Sequence, residues 1–169
     1  MTYWMIFLRL AHIFAGVFWV GAALAMYFFI NPAVRATAEA GQKFMGHILT
    51  QSRFSAAMIG AGLTTVIAGT FLYWIDSDGF TSAWMMAGPG IGFGIGAVFA
   101  LIGLAYGYLI PRTGAAMGKL AGQFKGAPTP EQQAQMGALS RRMAVISQVN
   151  IICLIAATIL MAVARYLRF

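Results

Sequence analysis

The chain has 169 residues, of which 60% are apolar and only 9% charged, against about 25% charged in an ordinary soluble domain; its mean hydropathy is +0.78. That balance excludes a water-soluble enzyme, a disordered chain and, with Cys153 as the single cysteine, a disulfide scaffold. A net charge of +7, from 11 Lys and Arg against four acids, then speaks to membrane topology and lipid phosphates rather than to nucleic acid.

Four apolar stretches reach the roughly 20 residues a helix needs to cross the hydrocarbon core of a bilayer. They cover 4–30, 55–75, 84–110 and 143–166. Asn31-Pro32 is expected to close the first, Asp76-Ser77-Asp78-Gly79 the second and Pro111 the third, because proline cannot donate the helical hydrogen bond. Ala23-Leu24-Ala25 imitates a signal-peptide cleavage site, but Arg9 interrupts the apolar run and no basic segment precedes it, so 4–30 reads as a span. The predicted fold class is all-α: a single domain over 1–169, a polytopic four-helix bundle, since in lipid every backbone group must be satisfied within a helix or a closed barrel.

The connections carry their own signals. Phe44, Ile48 and Leu49 recur at helical spacing and predict that the second span extends backwards beyond the membrane. Thr129-Pro130-Glu131-Gln132 has the pattern of a capping box with proline at the first helical position, which predicts a helix running into the fourth span. Tyr27 precedes Pro32 as Tyr106 precedes Pro111, and Ser52-Arg53 stands before the second span as Ser140-Arg141 before the fourth. These matches predict two helical hairpins in tandem. Eight basic residues lie in the two long connections and three (Arg9, Arg165, Arg168) toward the termini, while 76–83 carries only Asp76 and Asp78. The positive-inside rule places both long connections in the cytoplasm and both termini outside it.

Chemistry-bearing side chains are few. His12 falls about two turns into the first span, where a polar side chain turns toward the bundle interior, a cofactor or a cavity. One reading is an interhelical hydrogen bond; the other is axial ligation of haem b, with Gly16 one turn on leaving room for a flat ring and Phe14, Phe18 and Trp19 around it. His47 reads as a solvated histidine and a weaker metal candidate. Eleven methionines suggest copper(I) as an alternative cargo, but they are scattered like ordinary core filler. In the third span Gly88, Gly92, Gly96, Ala100, Gly103 and Gly107 recur every three or four residues, a small-residue stripe expected to pack closely within the bundle or to build a homo-oligomer or larger membrane complex. Asn31, Tyr108, Ser147, Gln148 and Asn150 gather toward the inner helix ends as interhelical hydrogen-bonding groups. No nucleophile–base pair, phosphate loop or paired carboxylate can be assembled.

The string Leu10-Ala11-His12-Ile13-Phe14-Ala15-Gly16-Val17-Phe18-Trp19-Val20-Gly21, continuing to Asn31-Pro32-Ala33, resembles the first helix of the copper resistance D-like integral membrane proteins. The His-to-Trp spacing is also similar to that of the haem-dependent bacterial protoporphyrinogen oxidases. Ser52-Arg53-Phe54 with Ala68-Gly69-Thr70, and the closing 161–166, resemble later helices of the same broad group. The leucine-proline-arginine segment that follows the glycine in the oxidases is missing here, so that activity does not carry over. What the resemblance implies is a haem-ligand role for His12 in a protein of the bacterial inner membrane. The expectation is therefore a b-type haem protein serving electron transfer or a haem-linked redox step, with a quinone or redox protein as partner; the alternative is a non-enzymatic accessory, structural or copper-handling membrane protein.

Overall fold

The computed structural model describes residues 2–169 and is an all-helical bundle, with no strand among the described residues. Four of its helical runs are long and apolar enough to cross a membrane. The first is α1 (Thr2–Ala25), continued by a π-turn over Met26–Ile30 and by α2 (Asn31–Ala36). After a bend at Thr37, α3 (Ala38–Thr50) precedes α4 (Phe54–Asp76). A compact turn with a 3-10 segment at Ala83–Met86 leads to α5 (Gly88–Ala121), and α6 (Pro130–Val163) ends in a 3-10 turn at Ala164–Tyr166.

Both expected proline stops fail, each because the missing hydrogen bond is compensated locally. Pro32 has no N–H for the Phe28 carbonyl, and the chain absorbs the defect by widening: Asn31 N–H bonds back five residues to the Met26 carbonyl, a π-turn, and the helix continues to Ala36. Pro111 sits inside α5, which runs ten residues further because α6 packs against it on both sides; neighbouring helices tolerate an internal proline in this way. In the other direction, α3 is not a continuous extension of α4. Ser52 breaks the join, its hydroxyl donating to the Ile48 carbonyl and accepting from the Phe54 N–H at 3.1 Å. Its proposed counterpart Ser140 lies within unbroken α6, so the matched Ser-Arg pairs are not equivalent. The third helix begins at Gly88 rather than at Trp84, with Pro89 in its first turn.

The capping box forms as expected: Gln132 N–H donates to Thr129 Oγ1 at 3.2 Å and Thr129 N–H donates to Gln132 Oε1 at 3.0 Å. α6 therefore starts well before the apolar segment.

Helix pairing follows the two-hairpin scheme. α5 with α6 forms the most extensive interface and α1 with α4 the next, while α4 against α5 joins the two pairs. The glycine stripe of α5 explains the tightness of the first. A Cβ at Gly103 would stand 3.0 Å from Leu154 Cδ2, and one at Gly96 would stand 3.3 Å from Leu160 Cβ. Asn150, buried on α6, lies against Gly107 and donates through Nδ2 to the Gly103 carbonyl at 2.6 Å. The face on which an oligomer through the third span was expected is thus covered by α6 of the same chain. At the far end the C-terminal segment closes over it, with Gly88 N–H donating to the Phe169 carbonyl at 3.2 Å. The outer surface is apolar, with Phe14, Val17, Ile67, Val98 and Ile159 all more than half exposed, as lipid contact demands.

Candidate functional site

His12 stands in the α1–α4 interface. Residues 12, 16 and 19 follow one another at one-turn steps along α1 and face Gly69, Thr65 and Gly62 of antiparallel α4. Large side chains meet small ones. A Cβ at Gly69 would lie 2.8 Å from His12 Cε1, and one at Gly62 would lie 3.1 Å from the Trp19 ring. These two notches let the imidazole and the indole sink against α4, leaving His12 half-buried and Trp19 only 4% exposed. The room beside Gly16 belongs to Thr65, whose methyl would be 3.5 Å from a Cβ there. Gly16 and Trp19 therefore act in helix packing on this face.

His12 Nδ1 lies 2.8 Å from the Thr65 carbonyl oxygen. A carbonyl can only accept, so Nδ1 carries a proton, and in the neutral imidazole the lone pair is on Nε2. Such a bond contributes about 0.5–1.5 kcal/mol, and it also orients the ring. Nε2 has no hydrogen-bond partner among the described residues and is not sealed in: the single enclosed side-chain polar atom without a partner there is Ser82 Oγ. The arrangement has the form of a ligand histidine whose other nitrogen is held by a backbone acceptor.

His47 is elsewhere. It is exposed on α3, which ends before α4 begins, whereas Thr65 is eleven residues into α4, roughly 16 Å along the axis at helical rise. The two histidines do not converge. No group of three or more His, Cys, Asp or Glu gathers among the described residues, and Cys153 is buried alone on α6.

A large hollow lies at the opposite end of the hairpins from the 76–87 turn. Here the end of α1, the π-turn, α2, α3 and the adjoining parts of α4, α5 and α6 line a partly open hollow of about 1470 Å³, beyond the roughly 300–1,000 Å³ of a typical small-molecule pocket. Met26, Tyr27 and Phe28 of the π-turn form part of its wall. So do Asn31, Tyr108, Ser147, Gln148 and Asn150, the polar set expected to bond helix to helix; Asn150 does so, and all five face the hollow. Six of the eleven methionines (Met26, Met45, Met58, Met117, Met136 and Met143) also converge on it. Their scatter along the sequence conceals this, since they come from five different helical segments. His12 does not line the cavity; Trp19 stands between.

A side pocket of about 440 Å³ shares Arg35, Met117, Ser140, Met143 and Ala144 with this hollow and adds Arg141. Its formal charges are both positive. The only ion pair among the described residues is Lys43 with Glu39, and Arg112 is engaged over the Tyr108 ring at 4.4 Å. Arg35 and Arg141 thus face the cavity mouth without a carboxylate. No family model, curated protein or solved structure matches the chain.

Proposed function

We propose that this is a membrane-embedded b-type haem protein serving electron transfer or a haem-linked redox step, with Nε2 of His12 as an iron ligand. The observation that carries the reading is the Nδ1–Thr65 carbonyl hydrogen bond at 2.8 Å, which leaves Nε2 as the donor atom and holds the ring in one orientation. When bound, haem supplies one-electron chemistry. The chain's own contribution is to lock the tautomer through Thr65, to seat the ring against Gly69 and to keep the histidine within apolar helices. A quinone or a redox protein is the corresponding partner. Eight basic residues at one end of the bundle against three at the other support an inner-membrane orientation with both termini outside the cytoplasm.

The copper-handling alternative draws on the convergence of six methionines, since thioethers favour copper(I). Among the described residues that line the cavity the formal charge is positive and there is no His, Cys or carboxylate, so a cation is the less suitable occupant.

An absorption spectrum of protein purified from haem-replete membranes tests the reading. A Soret band is expected, lost or strongly shifted in His12→Ala and unchanged in His47→Ala, with circular dichroism showing an intact helical bundle in both. Absence of the band in the wild type, or the same band in His12→Ala, overturns it.

A further inference from the structure

We propose that the cavity at the basic end of the bundle binds an anionic amphiphile, its acyl chain in the methionine- and aromatic-lined hollow and its headgroup at Arg35, Arg141 and Ser140. The inference is independent of haem at His12, which lies outside this cavity. Its first support is shape and lining: about 1470 Å³ bounded mainly by Met, Leu, Ile and aromatic side chains. Methionine is unbranched and polarizable, so a wall with six of them conforms to a flexible hydrocarbon rather than to one rigid shape.

The second support is charge. The side pocket joins the hollow through Arg35, Met117, Ser140, Met143 and Ala144, and both of its charged residues are arginines. Neither forms an ion pair among the described residues, where Lys43–Glu39 is the only one. Two guanidinium groups beside a hydroxyl suit a phosphate or carboxylate, which Arg binds through paired N–H donors. An apolar hollow that opens on a cationic pocket selects a molecule with the same two-part character. A free inorganic anion leaves the hollow unused, and a neutral lipid leaves the arginines unmatched.

Phosphodiester and carboxylate headgroups share this chemistry, so the test separates them. Full-length protein in detergent is incubated with dioleoylphosphatidylglycerol, oleate, dioleoylphosphatidylcholine or inorganic phosphate, and retained ligand is counted by native mass spectrometry. Phosphatidylglycerol or oleate is expected to be retained in preference to phosphatidylcholine and phosphate, and whichever is held identifies the headgroup. The Arg35→Gln/Arg141→Gln double variant changes two exposed side chains and should bind the anionic ligand roughly fivefold less tightly, as expected for two solvent-accessible ion pairs. Lys119→Gln/Lys125→Gln removes the same charge outside both pockets and should bind as the wild type does. Gly118→Phe adds a ring into the hollow from a position whose Cβ would meet nothing within 4 Å, and should reduce retention. Equal retention of phosphatidylcholine, an unchanged affinity in the arginine double variant, an equal loss in the lysine control, or full retention in Gly118→Phe would each overturn the proposal.

Discussion

His12 and Gly69 form the most informative residue pair. An imidazole within an apolar helix needs a partner for its donor, and the α4 backbone supplies one only because Gly69 lets the ring approach. Gly69→Val should therefore displace the ring. A Cβ 2.8–2.9 Å from Cε1 and Nδ1 cannot coexist with the observed rotamer, and overpacking of this kind costs about 1–3 kcal/mol. The expected outcome is a lower melting temperature together with loss of any Soret band, resembling His12→Ala in the spectrum. A Gly69→Val protein with wild-type spectrum and stability would show that the ring does not depend on this notch. The spacing of His12, Gly16 and Trp19 was legible as one helix face. Its complement was not, because Gly62, Thr65 and Gly69 gain meaning only when α4 lies antiparallel beside it.

At the scale of elements, the α5 stripe and the internal prolines show how far helix pairing decides structure. Gly103→Leu forces a branched side chain toward Leu154, which is 1% exposed; Gly96→Leu meets Leu160 and Met161 in the same way. Each should lower stability by about 1–3 kcal/mol or prevent folding, while Val98→Leu, at a position 55% exposed, should be neutral. Thermal unfolding in detergent checks the series, and equal stability in all three variants would remove α5–α6 packing as the role of the stripe. The stripe itself was visible in the sequence, but whether it met another copy or a neighbouring span was not. The internal prolines depend on their surroundings in a related way. A proline in a soluble helix has little to compensate it, whereas here α6 and a π-turn hold the chain helical on both sides.

On the scale of the whole molecule, charge and shape have distinct consequences. The basic residues gather where α2, α3, the end of α5 and the start of α6 meet, and the acidic 76–78 turn lies at the other end. Reporter fusions after Asp78 and after Gly126 should consequently behave oppositely, the former active with a periplasmic reporter and the latter with a cytoplasmic one. The reversed pattern would invert the topology and place the arginine-lined cavity on the outer side.

Sequence alone determined that this chain lives in lipid, that it is helical, where its four apolar runs lie and how Thr129 to Gln132 would start α6. Each is set by local quantities: hydropathy summed over about 20 residues, or the reach of one side chain to a backbone amide three residues away. Tertiary structure alone decided that α6 takes the glycine face of α5, that Thr65 of α4 lies against Gly16, and that six methionines from distant segments bound one hollow with two arginines at it and its side pocket. Those outcomes depend on which helix faces meet, and in a membrane, where lipid is as apolar as leucine, it is close van der Waals fit and interhelical hydrogen bonds that select among helix faces of nearly equal hydrophobicity.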